Sequence, residues 1–232
     1  MRDTSKNKFR ENIKEINEEI KPTLQDIQDE KDEEIKKRLR FYLLSNLIER
    51  TITHYSVGDS KEVVKGSSIE IISVFEDAFV FDDGFGDMDK MCWLISLAIL
   101  CDVSQEEFNK IKEVLKRDNV QDKLLDYLIK YKDPTWSGSS NNYIQKEPYA
   151  SVDTFLTDTN TETAVPKIKH YLDKIWYKGH DESHWHGTLE NDNLSYYFGY
   201  WAWEVAAIVK INGIDDTALK NQKYYPYDAV HW

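Results

Sequence analysis

The densest group of potential metal ligands in the sequence lies at residues 180–186, which read HDESHWH. In an extended segment, His184 and His186 together with Asp181 or Glu182 offer the nitrogen and oxygen donors that zinc prefers. No second ligand cluster stands elsewhere in the sequence to complete a tetrahedral site. We therefore interpret the segment as a loop whose histidines hydrogen-bond to neighbouring groups, one of them to a buried carboxylate such as Glu204.

A second candidate for metal chemistry is the aspartate-rich segment DDGFGDMD at residues 82–89. A calcium-binding EF-hand loop needs ligands at positions 1, 3 and 5, glycine at 6 and glutamate at 12, and the segment does not have this spacing. The alternative is a small all-helical metal-dependent enzyme in which residues 82–89 and the later NDNLS at 191–195 bind magnesium, as in prenyl-diphosphate enzymes. Such an enzyme would need an acidic residue at position 199, where this chain has Gly199.

Sequence motifs of catalysis are missing elsewhere in the chain. There is no GxSxG, no glycine-rich Walker loop, no HExxH and no CxxC. We predict that the protein is not an enzyme and that it uses no cofactor and no metal.

The negative charge of the chain is concentrated in two stretches. The net charge is -12, and residues 70–107 carry ten acidic side chains against one basic, while residues 147–195 carry nine against four. Residues 1–40 hold 11 of each sign and cancel. Such a surface repels nucleic acid phosphates and favours a basic protein partner. A solubilising surface and an acidic scaffold for some other basic protein are the alternatives.

The acidic residues provide the candidates for contact with a basic partner. The segment 82–89 is the first choice and the acidic residues near 181–192 are the second, because like charges that cluster need a reason such as steering. The candidate partner-binding residues are Asp82, Asp83, Asp87, Asp89, Asp181, Glu182 and Asp192.

Features of the amino terminus and of the cysteines bear on the compartment. No signal-peptide-like apolar run follows Met1, so we expect a cytoplasmic protein with no membrane association. Cys92 and Cys101 lie on one predicted helix about 13 Å apart, too far for a disulfide. We expect two reduced core thiols.

Hydrophobic periodicity predicts helices throughout and no sustained strand pattern. The fold class is therefore all-α and helical bundle-like, with a smaller N-terminal helical domain at 1–119 packed on a C-terminal helical domain at 120–232. The polar segment 135–142 is the best linker candidate. Predicted helices cover residues 9–24, 25–55, 60–79, 91–100, 105–115, 122–132, 149–156 and 161–177.

The aromatic stretch 194–211 is predicted to be the buried central helix of the C-terminal domain. Six of the residues from 194 to 203 are aromatic, which makes Trp201 and Trp203 structural core residues. Gly213 is suited to end the helix in the left-handed conformation. The tail after Lys220 is aromatic and should fold back onto the domain as an extended segment.

Glu204 interrupts this apolar stretch. A buried carboxylate is costly unless it is paired, and such residues are often catalytic. We favour a structural Glu204 that fixes the helix register against an Arg, a His or a Tyr.

The run YFGYWAWEVAAIVKINGIDD, followed by YYPYDAVHW, resembles the C-terminal signature of the PoNi family of bacterial immunity proteins. The similarity covers about 38 residues closely, and RFYLLSNLIERTITHYSVGDSKEVVK at 40–65 is compatible with the other domain of that family. Ala202 and Trp203 stand where Ser and Phe are more usual. The resemblance implies an all-helical, non-catalytic protein that binds a PoNe-type DNase toxin and blocks DNA cleavage. The resemblance identifies neither catalytic residues nor the particular toxin.

Overall fold

The computed structural model describes residues 3–81, 85–190 and 198–232, and these residues form helices and turns without any strand. This confirms the all-α prediction. None of the described helices combines the length and the apolar composition needed to cross a membrane. The helices are α1 Asp3–Asp29, α2 Glu33–Val57, α3 Lys61–Ala78, α4 Phe85–Leu100, α5 Gln105–Arg117, α6 Lys123–Lys132, α7 Thr161–Tyr171, α8 Trp203–Asn212 and α9 Tyr227–Val230.

The chain divides into two compact units that are both discontinuous in sequence. The first unit consists of residues 1–80, 103–118 and 187–199, and the second of residues 81–102, 119–186 and 200–232. Helix α4 thus belongs to the same unit as the carboxyl-terminal helices. A division into two domains at residues 119 and 120 stays a prediction.

In the first unit, α2 packs against both α1 and α3. The Asp32 side chain accepts hydrogen bonds from the backbone N–H groups of Glu34 and Ile35, which fixes the start of α2. Gly58 ends the helix with a φ of 86°. Arg50 is buried and donates to Asn17 over 3.0 Å and to Glu70 over 2.6 Å, so one guanidinium group ties the three helices together.

Helix α1 continues past Pro22 to Asp29, so the predicted end near residue 24 is wrong. An interior proline costs about 3 kcal/mol because it removes one hydrogen bond and crowds the preceding turn. Here, Ile16 before the proline and Thr23 after it are both buried. Packing on both sides therefore holds the helix together, and α2 begins later than predicted.

In the second unit, the apolar helix α4 packs against α8. Every residue of α8 from Trp203 to Val209 is buried. The helix starts only at Trp203, because the backbone N–H of Ala202 donates to the carbonyl oxygen of Tyr224 over 2.8 Å. The prediction of a helix over 194–211 is therefore wrong for residues 198–202, and residues 194–197 lie outside the described part. Gly213, with a φ of 63°, follows the last turn.

The polar segment 135–142 is not a linker between the units, because the chain on both sides of it belongs to the second unit. The Asp126 carboxylate accepts the indole N–H of Trp136 over 2.7 Å and the backbone N–H of Ser140 over 2.8 Å. A Cβ atom at Gly138 would lie 2.0 Å from the same carboxylate. The segment is thus held tightly against α6.

The carboxyl-terminal tail folds back as expected, although it contains the short helix α9 rather than an extended segment. Tyr225 is 3% exposed and Ala229 is fully buried. The Tyr225 hydroxyl donates to Asp216 over 2.8 Å, and the imidazole of His231 lies 2.9 Å from the same carboxylate. Asp216 therefore anchors the tail at two points.

We predict that Tyr225→Ala lowers the free energy of unfolding by about 3 to 5 kcal/mol, because a buried aromatic side chain and its hydrogen bond are lost. Tyr131 is 45% exposed, so Tyr131→Ala should change it by less than about 0.5 kcal/mol. Urea denaturation followed by circular dichroism measures both. An equal loss of unfolding free energy in the two variants would show that the tail is not part of the core.

Candidate functional site

The polar centre of the second unit is the carboxylate of Asp89, on the second turn of α4. Its side chain is 2% exposed. One oxygen accepts the hydroxyl of Tyr149 over 2.7 Å. The other accepts the hydroxyl of Ser183 over 2.9 Å and the indole N–H of Trp185 over 3.1 Å. Three side chains that lie far from Asp89 in the sequence thus converge on its buried carboxylate.

His180 completes this centre. Its Nε2 lies 3.3 Å from Asp89 Oδ1, and its Nδ1 lies 2.6 Å from the carbonyl oxygen of Trp176, to which Nδ1 donates its proton. Burial disfavours the charged imidazole, but the negative charge of Asp89 outweighs burial and raises the pKa of His180. Burial likewise opposes ionisation of Asp89, yet His180 and the hydrogen bonds lower the pKa of Asp89. The two residues form a buried ion pair.

Aromatic rings enclose the ion pair. The ring centroids of Trp176 and Trp185 lie 4.9 Å and 5.0 Å from that of His180, and the two indoles stack 5.5 Å apart. Rings at this spacing leave little room for water, so the attraction between the two charges is screened less than it would be at the surface.

The hydrogen bonds to Asp89 join two segments that are rich in acidic residues, the start of α4 and the loop 181–186. Ser183 and Trp185 belong to the loop 181–186, whose Asp181 and Glu182 are exposed. Since both side chains bind Asp89, this loop is held against the amino-terminal turns of α4. The structure therefore brings part of the first candidate contact segment together with part of the second.

The other candidate contact residues are placed differently. Asp89 itself is buried and bound within the unit, so it is not available for the direct partner contact that we expected of it. Asp87 is 9% exposed and takes part in interactions within the chain. Asp82, Asp83 and Asp192 lie outside the described residues.

Glu204 is the second buried carboxylate of this unit, with no exposed surface. The hydroxyl of Tyr171 donates to its Oε1 over 3.3 Å, whereas Oε2 has no hydrogen-bond partner among the described residues. Burial raises the pKa of Glu204 to about 7, although the charge of His180 opposes the shift. The expected tyrosine is therefore present, and the raised pKa lets Glu204 keep its proton at pH values where an exposed glutamate is ionised.

The histidines do not gather around a metal. His180 is paired with Asp89 rather than with Glu204, His184 is exposed, and His186 stacks on Tyr177 with ring centroids 4.0 Å apart. Within the described residues, no group of three or more His, Cys, Asp or Glu side chains is arranged to hold a metal ion. Cys92 and Cys101 are both buried and are not joined in a disulfide.

Sequence reasoning missed Tyr149, Ser183 and Trp185 as partners of Asp89. Tyr149 lies 60 positions from Asp89, and the other two lie 94 and 96 positions away. The one available signal was the expectation that a loop histidine would bond to a buried carboxylate. That expectation was right about the kind of pair, a histidine with a buried carboxylate, but the carboxylate is that of Asp89 rather than that of Glu204.

The fold and the site describe an all-helical protein whose main polar cluster is internal and holds a surface loop in place. The sequence profile for the N-terminal part of PoNe immunity protein (PoNi) matches residues 2–113, and the profile for the C-terminal part of PoNe immunity proteins matches residues 120–229. The two matches cover nearly the whole chain, so the chain belongs to the PoNi family of PoNe immunity proteins. Its function is therefore immunity against a toxin, and the family is not catalytic.

A solved structure supports the fold. Protein PA2201 from Pseudomonas aeruginosa superposes with a TM-score of 0.75 over 97% of this chain and 87% of that chain, at 17% sequence identity. This similarity shows that the two proteins share their fold. A comparison with curated proteins found no match.

We predict that Asp89→Ala lowers the free energy of unfolding by about 3 to 5 kcal/mol, because it leaves His180 and three hydrogen-bond donors buried without their acceptor. Asp181→Ala in the same unit should change it by no more than about 0.5 kcal/mol, since this side chain is exposed. Urea denaturation of the two variants checks this. A mild effect of Asp89→Ala would mean that the ion pair does not hold the loop.

Glu204→Gln should change how stability depends on pH. Native Glu204 keeps a proton up to about pH 7, whereas the unfolded side chain loses it near 4.5, so the free energy of unfolding falls by up to about 3 kcal/mol as the pH rises between these values. His180 adds to the fall, because its raised pKa stabilises the fold only while the ring is charged. Asp89, Tyr171, Tyr149 and Cys92 are the other titratable groups that interact with Glu204.

Because Gln cannot ionise, the variant should be more stable than the wild type near pH 8 and similar to it near pH 5. Urea denaturation at the two pH values measures the difference, with Glu15→Gln on the exposed side of α1 as the control. An unchanged pH profile in Glu204→Gln would show that Glu204 is ionised in the folded protein.

Proposed function

We propose that this protein neutralises a PoNe-type DNase toxin by binding the basic surface of that toxin with an acidic surface of the second unit. The exposed Asp181 and Glu182 belong to this surface. The other acidic candidates, Asp82, Asp83 and Asp192, lie outside the described residues. The observation that carries the proposal is the attachment of loop 181–186 to Asp89, because it holds two acidic segments beside each other.

Electrostatics supports a nuclease as the partner. A nuclease has to present cationic groups to the phosphates of DNA, and the net charge of -12 on this chain attracts such a protein. The same charge repels nucleic acid, so the protein competes with DNA for the toxin without binding DNA itself. Complementary charge accelerates encounter and excludes partners of like charge.

A preformed loop suits inhibition of this kind. Exposed acidic side chains on a mobile loop would lose conformational freedom on binding, and this loss weakens affinity. Here, Ser183 and Trp185 are already fixed by hydrogen bonds to a buried acceptor, so Asp181 and Glu182 are carried on an ordered segment. In the bacterial cytoplasm such a protein would meet the toxin before the toxin reaches the chromosome, as interbacterial competition requires.

The double variant Asp181→Lys with Glu182→Lys should weaken binding to the PoNe-type toxin encoded beside this protein by roughly tenfold or more at low salt. The matched control is Glu11→Lys with Glu15→Lys, which makes the same change in net charge on the exposed side of α1. Binding is measured by calorimetry with a nuclease-inactive toxin, and protection by growth of cells that express the active toxin.

Equal loss of affinity in the two double variants would mean that total charge, rather than this loop, attracts the toxin. Unchanged affinity in both would remove the loop from the interface. Similar binding of the wild type to an unrelated basic protein would favour the acidic scaffold instead of a specific immunity protein.

A further inference from the structure

The hairpin of α1 and α2 exposes apolar side chains at the end where the two helices are joined. Ile35 is 45% exposed, Phe41 40% and Tyr42 46%, and Leu24 on α1 is 41% exposed. Buried residues of α2 begin only at Leu43. The first half of α2 therefore lies on the surface of its unit and carries several large apolar groups that a surface helix normally lacks.

These apolar residues share one face of α2 with two charged residues. Residues 34, 38 and 41 are separated by four and then three positions, so they lie on one face of the helix, and residues 35 and 42 lie next to them on that face. All five of these residues are exposed. The face thus consists of Glu34, Ile35, Arg38, Phe41 and Tyr42.

The charges along α2 are ordered by sign. Acidic residues occupy positions 32–34, and basic residues follow at 36, 37, 38 and 40. If a second α2 lies antiparallel with a two-fold axis near residue 36, the acidic end of each helix faces the basic end of the other. Charge of this pattern is complementary to itself in the antiparallel orientation and repulsive in the parallel one.

We propose that two copies of this protein pair through the exposed face of α2, antiparallel and related by a two-fold axis. In this arrangement Glu34 of each copy lies beside Arg38 of the other and Ile35 is covered by α2 of the other copy. Phe41 and Tyr42 face residues 30 and 31 of the other copy, where its α1 and α2 are joined. The proposal is independent of the toxin-binding surface, which is assigned to the other unit.

Charge favours a second copy over the toxin as the occupant of this face. Residues 1–40 hold 11 acidic and 11 basic side chains, so the hairpin has no net attraction for a basic protein. The remaining chain carries the whole net charge of -12 and repels another copy. The balanced hairpin is therefore where two copies approach at the lowest electrostatic cost.

The hairpin is also ordered before any partner binds. The Asp32 side chain caps α2, and the Tyr42 hydroxyl donates to Glu19 on α1. The ten residues from 33 to 42 span about 15 Å, which makes the interface smaller than that of an obligate dimer. The pair should consequently dissociate in the micromolar range and should weaken as salt screens the charged contacts.

Charge exchange between two single variants tests the arrangement. Glu34→Lys places like charges together in a pair of identical copies, and so does Arg38→Glu. A one-to-one mixture of the two variants restores opposite charges at both contacts. Sedimentation velocity from about 1 µM to about 500 µM measures association of the full chain. Glu113→Lys on α5 is the matched exposed control, and circular dichroism verifies that each variant is folded.

The expected result is concentration-dependent association of the wild type and of Glu113→Lys, at least tenfold weaker association of each α2 variant alone, and recovery in their mixture. A wild type that stays monomeric over the whole range overturns the proposal. So does association that the α2 variants leave unchanged, or a mixture that associates no better than its components.

Discussion

The ion pair between Asp89 and His180 is the interaction on which the second unit depends. A charged carboxylate cannot remain in an apolar interior unless donors and an opposite charge replace its water, and here four side chains do so. Those donors come from segments remote in the sequence, so satisfying a single charge determines where the loop 181–186 lies. The packing of Trp176 and Trp185 around His180 follows from the same requirement, because it keeps water away from the pair.

Glu204 shows the other way in which a buried carboxylate is accommodated. Asp89 has donors for both oxygens and a lowered pKa, whereas one oxygen of Glu204 has no partner among the described residues and its pKa is raised to about 7. The residues of α8 next to Glu204 are apolar and offer no side-chain partner, and the positive charge that acts on Glu204 among the described residues, that of His180, is already paired with Asp89. The two acids therefore have opposite pKa shifts in one interior. Burial raises the pKa of both, but at Asp89 the charge of His180 and the hydrogen bonds outweigh burial, whereas at Glu204 they do not.

Local chemistry made much of the fold predictable from the sequence. Ser104 marks the start of α5, because its side chain accepts the backbone N–H of Glu107 while the Glu107 carboxylate accepts the backbone N–H of Ser104. Gly58 and Gly213 mark the ends of α2 and α8, and each of these effects is confined to one turn. Pro22 gave a wrong prediction for the end of α1, because packing against another helix outweighs the local cost of a proline inside a helix. The start of α8 could not be predicted from local sequence either, because it depends on a hydrogen bond to the carbonyl oxygen of the distant Tyr224. The site was harder to predict because acidic residues inside and outside the protein look alike in sequence, and only long-range partners separate them.

Exposed and buried acidic residues have different physical roles in this protein. Acidic side chains on the surface act over several ångströms on any charged protein, so they would attract a basic partner and repel another copy of the chain. Asp89 acts only at contact distance and holds the loop that carries Asp181 and Glu182. A strongly acidic protein can then self-associate only where its charge is balanced, and α2 meets that condition because its acidic and basic residues are ordered along the helix. In the proposed function and the proposed pairing, the same charge distribution places the toxin and the second copy on different units of the chain.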